Sequence, residues 1–487
     1  MDPNVIALLI SFAFVFVVLG LASVIAKFTK GASENSRKFV HIVVGHWVFI
    51  LLMFNNIWAA MLVPFTFIIV NALSTRYKIF KAMERNDESL GTVYYAVSLT
   101  VLTGLGFYLD WLALPFIGVL VMAYGDGFAA IIGKKFGKRK PFSFAPDKSI
   151  AGSLTVFFFA TVITGLTLYF FNGQGAMITQ TLPMILVIAG LTGTFASFIE
   201  LTGHKGCDNL TLPIGSAIFS VLLFQFGDLY LYIYLVVAML ILLVAYKLKS
   251  ITVDGMVTAL LVAVTLYALS GYLVGIALIA FFILGSLASK IKNKTKVLAE
   301  SVQEKGGPRT WKQVIANSFP AILLSWLYLI FPQANYLLLL AFSVFSAATA
   351  DTISSEIGML SKENAFHILT FRKHPRGLSG GVTFTGLLAG VVGSFLISLL
   401  VFIQYGLVEY ILVASLGVFG TLIDSILGAL LQRKYQTEQG ILVESVEGSS
   451  SKPVKGFKLI SNNVINFITL NVVVLGGYLY LIIYVLS

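Results

Sequence analysis

The sequence predicts an all-α protein, a polytopic membrane bundle of about sixteen (14–16) helices in two halves. Three observations predict it. Of the 487 residues, 58% are hydrophobic and only 11% charged, against about a quarter charged in soluble domains, and mean hydropathy is +0.92. Apolar runs of roughly 20 residues, the length that crosses a bilayer core as a helix, recur along the whole chain. Basic residues exceed acidic ones by 33 − 22 = 11, and they are confined to alternate connections. A soluble globule, a disordered chain, a secreted disulfide scaffold and a collagen-like fibre are excluded. The lone Cys207 can form neither an intrachain disulfide nor a thiolate metal cluster.

A span must satisfy its own backbone hydrogen bonds in lipid, so each apolar run reads as a helix. The candidates are 4–26, 39–54, 58–74, 91–108, 111–132, 150–171, 180–199 and 210–226, then 228–246, 251–270, 272–289, 313–331, 335–350, 380–403, 408–431 and 463–486. The first is too long for a cleaved signal peptide, and Asp2 stands where a basic flank would be expected. With the N-terminus on the non-cytoplasmic side, the inner segments are 27–38, 75–90, 133–149, 200–209, 247–250, 290–312, 351–379 and 432–462. All 33 Lys and Arg residues fall in or at the edge of these segments, as the positive-inside rule requires. Both termini then lie outside. The inner connections are also the long ones, so polar chemistry and any nucleotide belong on the cytoplasmic face. The basic excess is used up by topology, and nucleic-acid binding has no support.

Acidic residues in or at the ends of apolar runs are costly and usually face an interior or a watery cavity. In the first half, 1–250, four patterns carry chemistry. Arg37-Lys38 with His41 one turn on can hold phosphate at a helix start, although the pair alone reads more readily as a positive-inside anchor. Asp126-Gly127 leads to Gly133-Lys134: an acid suited to Mg²⁺, glycines that let backbone approach phosphates, and a neutralising lysine. The Gly-Lys-Ser/Thr order of a Walker A loop is missing. Lys148-Ser149 leads into Gly152 at a helix N-terminus, an anion-binding arrangement. Glu200 with Asp208 and Asn209 offers two carboxylates and an amide for a metal or a base.

The second half, 251–487, opens after a composition break at Lys247-Leu-Lys249. Its patterns are Arg309…Gln313…Asn317, then Asp351…Ser355-Glu356, Arg376-Gly377-Leu-Ser379-Gly380-Gly381, Asp424-Ser425 and Asn462-Asn463…Asn466. Asp351 and Glu356 put two carboxylates near one inner helix mouth, suited to a hard cation. The Arg-Gly-Leu-Ser-Gly-Gly stretch would open span 380–403 and offer free N–H groups to a phosphate; tight helix packing would use the same glycines. The asparagines serve equally as a cap, a polar seam between helices, or ligands.

The set Arg37-Lys38…His41, Gly91-Thr92, Asp126-Gly127…Gly133, Lys148-Ser149…Gly152-Ser153 and Glu200…Asp208-Asn209…Pro213 resembles the phytol kinase and dolichol kinase family over about residues 30–225. It is more distantly similar to phosphatidate cytidylyltransferases. The resemblance implies phosphorylation of a long-chain isoprenoid alcohol with CTP as donor. Residues of about 252–487 resemble the integral membrane family that includes phytyl-phosphate kinase, through the Ala-Asp-Thr…Ser-Glu-Ile-Gly and Gly-Leu-Ser-Gly-Gly motifs.

The expectation is therefore a bifunctional membrane kinase, with a prenol kinase domain over 1–250 and a prenyl-phosphate kinase domain over 251–487. Its partners would be the isoprenoid alcohol and its monophosphate, CTP, Mg²⁺ and the bilayer. Asp126 and Asp208 would hold metal in the first half, with Lys148 and Glu200 beside them and His41 or Asp208 as base. Asp351, Glu356 and Asp424 would serve the second half. Two other readings remain: a CTP-dependent lipid cytidylyltransferase, which the same acids and lysines could serve, and a secondary transporter built of two repeated halves.

Overall fold

The computed structural model describes residues 2–28, 34–77, 90–203, 206–303, 307–438, 440–445 and 453–486. Among these, fourteen helices are long and apolar enough to cross a membrane, and the protein is a polytopic helical membrane protein. Two expected spans differ from the rest. Residues 91–108 form a helix, but its three glycines, three tyrosines and three threonines dilute its apolar character. Residues 38–53 are shorter than a usual span, and their second half, His46–Met53, is a 3₁₀ helix.

The chain divides into two compact units, Met1–Gly227 and Asp228–Ser487. The packing boundary therefore precedes the composition break at Lys247-Leu-Lys249 by one helix.

Unit 1 begins with α1 (Pro3–Phe28), α2 (Glu34–Gly45) running into the 3₁₀ segment, α3 (Ile57–Tyr77) and α4 (Gly91–Tyr108). Then α5 (Ala113–Leu120) passes through a π-helical turn, Val121–Asp126, into α6 (Gly127–Phe136) as one continuous span. The unit closes with α7 (Ile150–Phe170), α8 (Leu182–Thr202) and α9 (Asp208–Phe226). Every residue of α5 is buried, as befits a helix that is apolar on all faces. Its approach to α9 needs Gly118, where a Cβ would stand 2.7 Å from the Pro213 carbonyl oxygen.

Unit 2 contains α10 (Leu229–Lys247), α11 (Val253–Ser270), α12 (Tyr272–Lys290), the short α13 (Lys294–Glu300), α14 (Trp311–Ile330) and α15 (Tyr336–Leu360). These are followed by α16 (Phe384–Tyr405), α17 (Leu407–Leu430) and α18 (Asn462–Leu486). Its centre is α15, packed on α12, α14, α16, α17 and α18 and buried at every position from Leu337 to Ala350. Inside that core Ser346 Oγ lies 2.8 Å from Ser394 Oγ and 3.2 Å from Ser398 Oγ, the kind of hydroxyl seam that joins helices where lipid offers no competing water.

Two antiparallel ladders, unforeseen in the sequence, lie in the loops: β1 (Phe366–His367) with β2 (Gly381–Val382), and β3 (Tyr435–Gln436) with β4 (Leu442–Val443). The first moves a helix start. Gly380 and Gly381 belong to a turn and a strand, Gly380 with φ +86°, and α16 begins at Phe384. Thr383 caps it by accepting from the Gly386 N–H. The glycines read in the sequence as a helix opening are used to bring the chain back along β1.

Candidate functional site

The first-half motifs meet in one cavity of about 1120 Å³ within unit 1. Lys38 and His41 come from α2, Asp126 from the π-helical turn, and Gly133 and Lys134 from α6. Lys148, Ser149 and Gly152 come from the start of α7, Glu200 from the end of α8, and Asp208 and Asn209 from the start of α9. Motifs spread over some 170 residues of sequence thus line a single polar chamber.

The chamber is built on charge pairs. Lys38 Nζ lies 2.7 Å from Asp126 Oδ2 and donates to the Asp126 carbonyl at 3.2 Å. His41 Nε2 is 3.3 Å from the same carboxylate oxygen and 3.2 Å from the Met122 carbonyl. The Tyr95 hydroxyl donates to the His41 carbonyl at 3.3 Å, and its ring meets the imidazole edge-on. A π-helical turn is a rare local widening often found at functional sites; here it ends on Asp126. Gly127 does not line the cavity. It removes the side chain that would otherwise strike Ile42 of α2 at 2.5 Å, and so permits the approach that brings Lys38 and His41 to Asp126.

Across the chamber Lys148 is paired with Glu200. Burial works against the Lys148 charge, but Glu200, Asp208 and Asp126 outweigh it and hold the ammonium above its ordinary pKa. The second Glu200 oxygen, Oε2, is buried without a hydrogen-bond partner. Among the described residues Asp208 accepts only from the neighbouring Asn209 N–H, at 3.2 Å, while the Asn209 amide donates to the Gly91 carbonyl at 2.9 Å. Ser149 spends its hydroxyl as the N-cap of α7, accepting from Gly152 N–H at 3.2 Å. Gly133 packs against that cap, its absent Cβ 3.1 Å from Ser149 Oγ. Arg37 is part of α2, but its side chain lies outside the described residues.

The opposite end of the cavity is apolar, walled by Leu19, Val44, Trp47, Val63, Phe67 and Leu99. Sequence reading missed six polar lining residues: Asn71, Ser74, Thr75, Arg76, Tyr95 and Lys140. Asn71 had a usable signal, an amide inside an apolar run. Its Nδ2 donates to the Thr92 carbonyl at 2.9 Å and ties α3 to α4. Arg76, Lys134 and Lys140 form no ion pair among the described residues and remain available to a polyanion.

In unit 2 the expected residues separate into three groups. Asp351 of α15 and Asp424 of α17 stand close enough to interact, and Thr469 of α18 donates to Asp424 Oδ1 at 3.2 Å. Glu356 faces elsewhere: its carboxylate takes Lys296 Nζ at 2.7 Å and the Ser289 hydroxyl at 2.6 Å. Lys296 is fully buried and also donates to the Ala288 and Ile291 carbonyls at the end of α12.

The glycine loop makes the third group. Arg376 donates to the Glu363 carbonyl, Gly377 is pressed against Ala299 and Gly380 against Ala429. The Ser379 N–H is occupied by Glu444 Oε1 at 2.7 Å. Asn317 accepts from Asn466 Nδ2 at 3.2 Å across α14 and α18, a polar seam, and Asn463 stands half-buried nearby in sequence at the start of α18.

The model of the integral membrane protein family DUF92 matches residues 236–474. An uncharacterized membrane protein of Methanocaldococcus jannaschii, MJ0933, is 34% identical over 42% of this chain and 84% of its own length. A phytol kinase of Synechocystis is 30% identical over 44% of this chain and 91% of its own. Protein PGR of Arabidopsis thaliana is 30% identical over 48% of this chain and 90% of its own. No solved structure matches the chain. Residues 236–474 belong to the DUF92 integral membrane family, and the chain has phytol kinase homologues at about 30% identity.

Proposed function

We propose that this protein is a CTP-dependent membrane prenol kinase, in which unit 1 converts an isoprenoid alcohol to its monophosphate and unit 2 converts the monophosphate to the diphosphate. The observation that carries the first step is the two-ended cavity of unit 1, with paired charges at one end and an apolar wall at the other. A prenol has that shape: a hydroxyl on a tail that prefers lipid. The relatives named phytol kinase support the reaction class.

Phosphoryl transfer needs positioning and charge neutralisation more than covalent help. The prenol oxygen attacks the γ-phosphorus of CTP; the new O–P bond forms as the bond to the β-phosphate oxygen breaks, and CDP leaves. The hydroxyl proton must go to a base. Asp126 is ion-paired with Lys38 and approached by His41, and Glu200 is ion-paired with Lys148; Asp208 forms no ion pair among the described residues and takes the proton. Lys148, Lys134, Lys140 and Arg76 neutralise the donor's phosphates, and Trp47, Phe67 and Leu99 hold the tail. Among the described residues no three acid or imidazole groups stand close enough together to hold a metal ion by themselves; Mg²⁺ would be carried on the donor's phosphates, whose charge it would neutralise, with Asp126 or Asp208 as its protein ligand and water completing its shell. The chamber faces the cytoplasm in this account, as the basic connections require.

The second step differs physically. A phosphate monoester, with a second pKa of about 6, is already an anionic nucleophile. It needs no dedicated base, and the Asp351–Asp424 pair is available for cation binding rather than proton abstraction.

The test is purified protein with γ-³²P-CTP, Mg²⁺ and a panel of farnesol, geranylgeraniol, phytol and a dolichol, followed by lipid chromatography. Labelled monophosphate and diphosphate are expected. Label carried into lipid from α-³²P-CTP instead would make the enzyme a cytidylyltransferase, and no labelled lipid with any nucleoside triphosphate would overturn the kinase reading.

A further inference from the structure

One side chain of unit 2 is prepared for a ligand that the catalytic account does not use. Arg309 stands just before α14 with its backbone fixed on three sides. Its N–H donates to the Ser250 carbonyl at 2.9 Å, and its carbonyl accepts from Thr252 N–H at 3.0 Å and Thr252 Oγ1 at 3.1 Å. The guanidinium is laid over two rings, 5.3 Å from the centroids of both Phe281 and Phe282. Gly285 makes its berth, since a Cβ there would lie 2.4 Å from a guanidinium nitrogen and 3.2 Å from Thr352 of α15.

Among the described residues no carboxylate reaches this guanidinium within ion-pair distance. Glu356, the acid whose charge it feels, is spent on Lys296 and Ser289. Burial draws the Arg309 pKa down to about 10, which leaves it cationic at neutral pH. Arg309 is half-buried, and an arginine carries five N–H donors in a fixed fork that no carboxylate among the described residues takes up.

Arg309 borders an almost wholly apolar cavity of about 50 Å³ between α10, α11, α12 and α14. Gln313, one helical turn along α14, lines it too; its Oε1 accepts from Thr310 N–H at 3.0 Å, and its Nε2 is the other donor at hand. The remaining wall is apolar, including Leu242, Ala263 and Leu278. An unpaired cation beside a small apolar cavity among membrane helices suits an anionic head whose tail lies in lipid.

We propose that Arg309 and Gln313 bind the phosphate of an isoprenyl monophosphate in unit 2. The fork of Arg309 matches two phosphate oxygens at once. The inference rests on the two-step reading for its choice of an isoprenyl tail, but binding is measured without turnover, so the two fail separately.

The probe is a photoreactive diazirine analogue of farnesyl phosphate, crosslinked to the full-length protein in nanodiscs without nucleotide and mapped by peptide mass spectrometry. Labelling is expected in residues 238–318 and should fall about tenfold or more in Arg309→Gln, the scale of a lost charge-assisted contact. Arg309→Lys should retain an intermediate fraction, because a point charge replaces the fork. Undiminished labelling of unit 1 in each variant controls for folding; loss in both units prompts the same reading from Gln313→Leu, whose effect must then be confined to 238–318. The matching farnesol analogue should not label this region in an Arg309-dependent way. Excess inorganic phosphate should displace little of the phosphate probe. Equal labelling in Arg309→Gln, equal labelling by the alcohol, absence of label in 238–318, or full displacement by inorganic phosphate would each overturn the proposal.

Discussion

Lys38 Nζ sits 2.7 Å from Asp126 Oδ2, and both side chains are largely buried. The pair ties α2 to the π-helical turn. Removing one partner of a buried pair leaves an uncompensated charge, a loss of about 3–5 kcal/mol in comparable sites. Lys38→Met should therefore lower the unfolding temperature in detergent and suppress monophosphate formation. The double variant Lys38→Met/Asp126→Asn should regain much of the stability without regaining activity. Stability that stays low in the double variant would mean that Lys38 acts through packing rather than through this pair.

Lys148 is held protonated by three acids after burial is overcome. Because its folded pKa is raised, its contribution to stability is complete below its unfolded pKa of about 10.4 and is lost as pH rises through the higher folded value. The first step should thus show no loss traceable to Lys148 between neutral pH and about pH 9. Lys148→Met should reduce kcat/KM for the prenol by roughly 100-fold, the scale of one removed oxyanion donor. Steady-state kinetics across that pH range check both statements.

Asp351→Asn should abolish diphosphate formation while leaving monophosphate formation at the parent rate, and Asp424→Asn should do the same because the two carboxyls stand together between α15 and α17. Supplying synthetic farnesyl monophosphate isolates the second step. A parent rate of diphosphate formation in Asp351→Asn would remove the assignment.

His374 offers a pH signature outside the spans. Burial first, then His367 and Lys434, pull its pKa down to about 4. Its Nε2 is buried without a partner. The unfolded chain, with an ordinary value of about 6.5, binds a proton that the folded chain refuses. Stability from this residue is therefore present above about pH 6.5 and declines as pH falls towards 4. His374→Gln should flatten that decline in thermal unfolding measured from pH 7 to 4; an unchanged slope would place the acid sensitivity elsewhere.

Much of this arrangement was legible in the sequence because membrane helices announce themselves by length and composition. The first-half chamber was legible for a related reason. Polar residues at helix ends are scarce in such a chain, so Lys38, Asp126, Lys148, Glu200 and Asp208 stood out singly before the fold brought them together. The partners were not legible. That Lys38 would bind Asp126, or that Lys148 would bind Glu200, depends on helix rotation, which periodicity leaves undefined when a helix is apolar on most faces. The role of Gly127 was misplaced for the same reason: its value is the close approach of Ile42, a tertiary contact. In unit 2, Asp351 and Glu356 lie five residues apart and therefore point about 140° apart round α15, so one meets Asp424 and the other Lys296. The ladder of β1 and β2 escaped notice because two-residue strands carry no period to read.

The central claim is that the unit 1 cavity is where a prenol receives its first phosphate. The most direct test compares parent protein with Asp126→Asn for transfer of ³²P from γ-³²P-CTP to geranylgeraniol, with farnesyl monophosphate supplied in parallel as substrate for the second step. The account predicts labelled monophosphate from the parent, almost none from Asp126→Asn, and diphosphate formation from supplied monophosphate in both. Monophosphate formed by Asp126→Asn at the parent rate would contradict it.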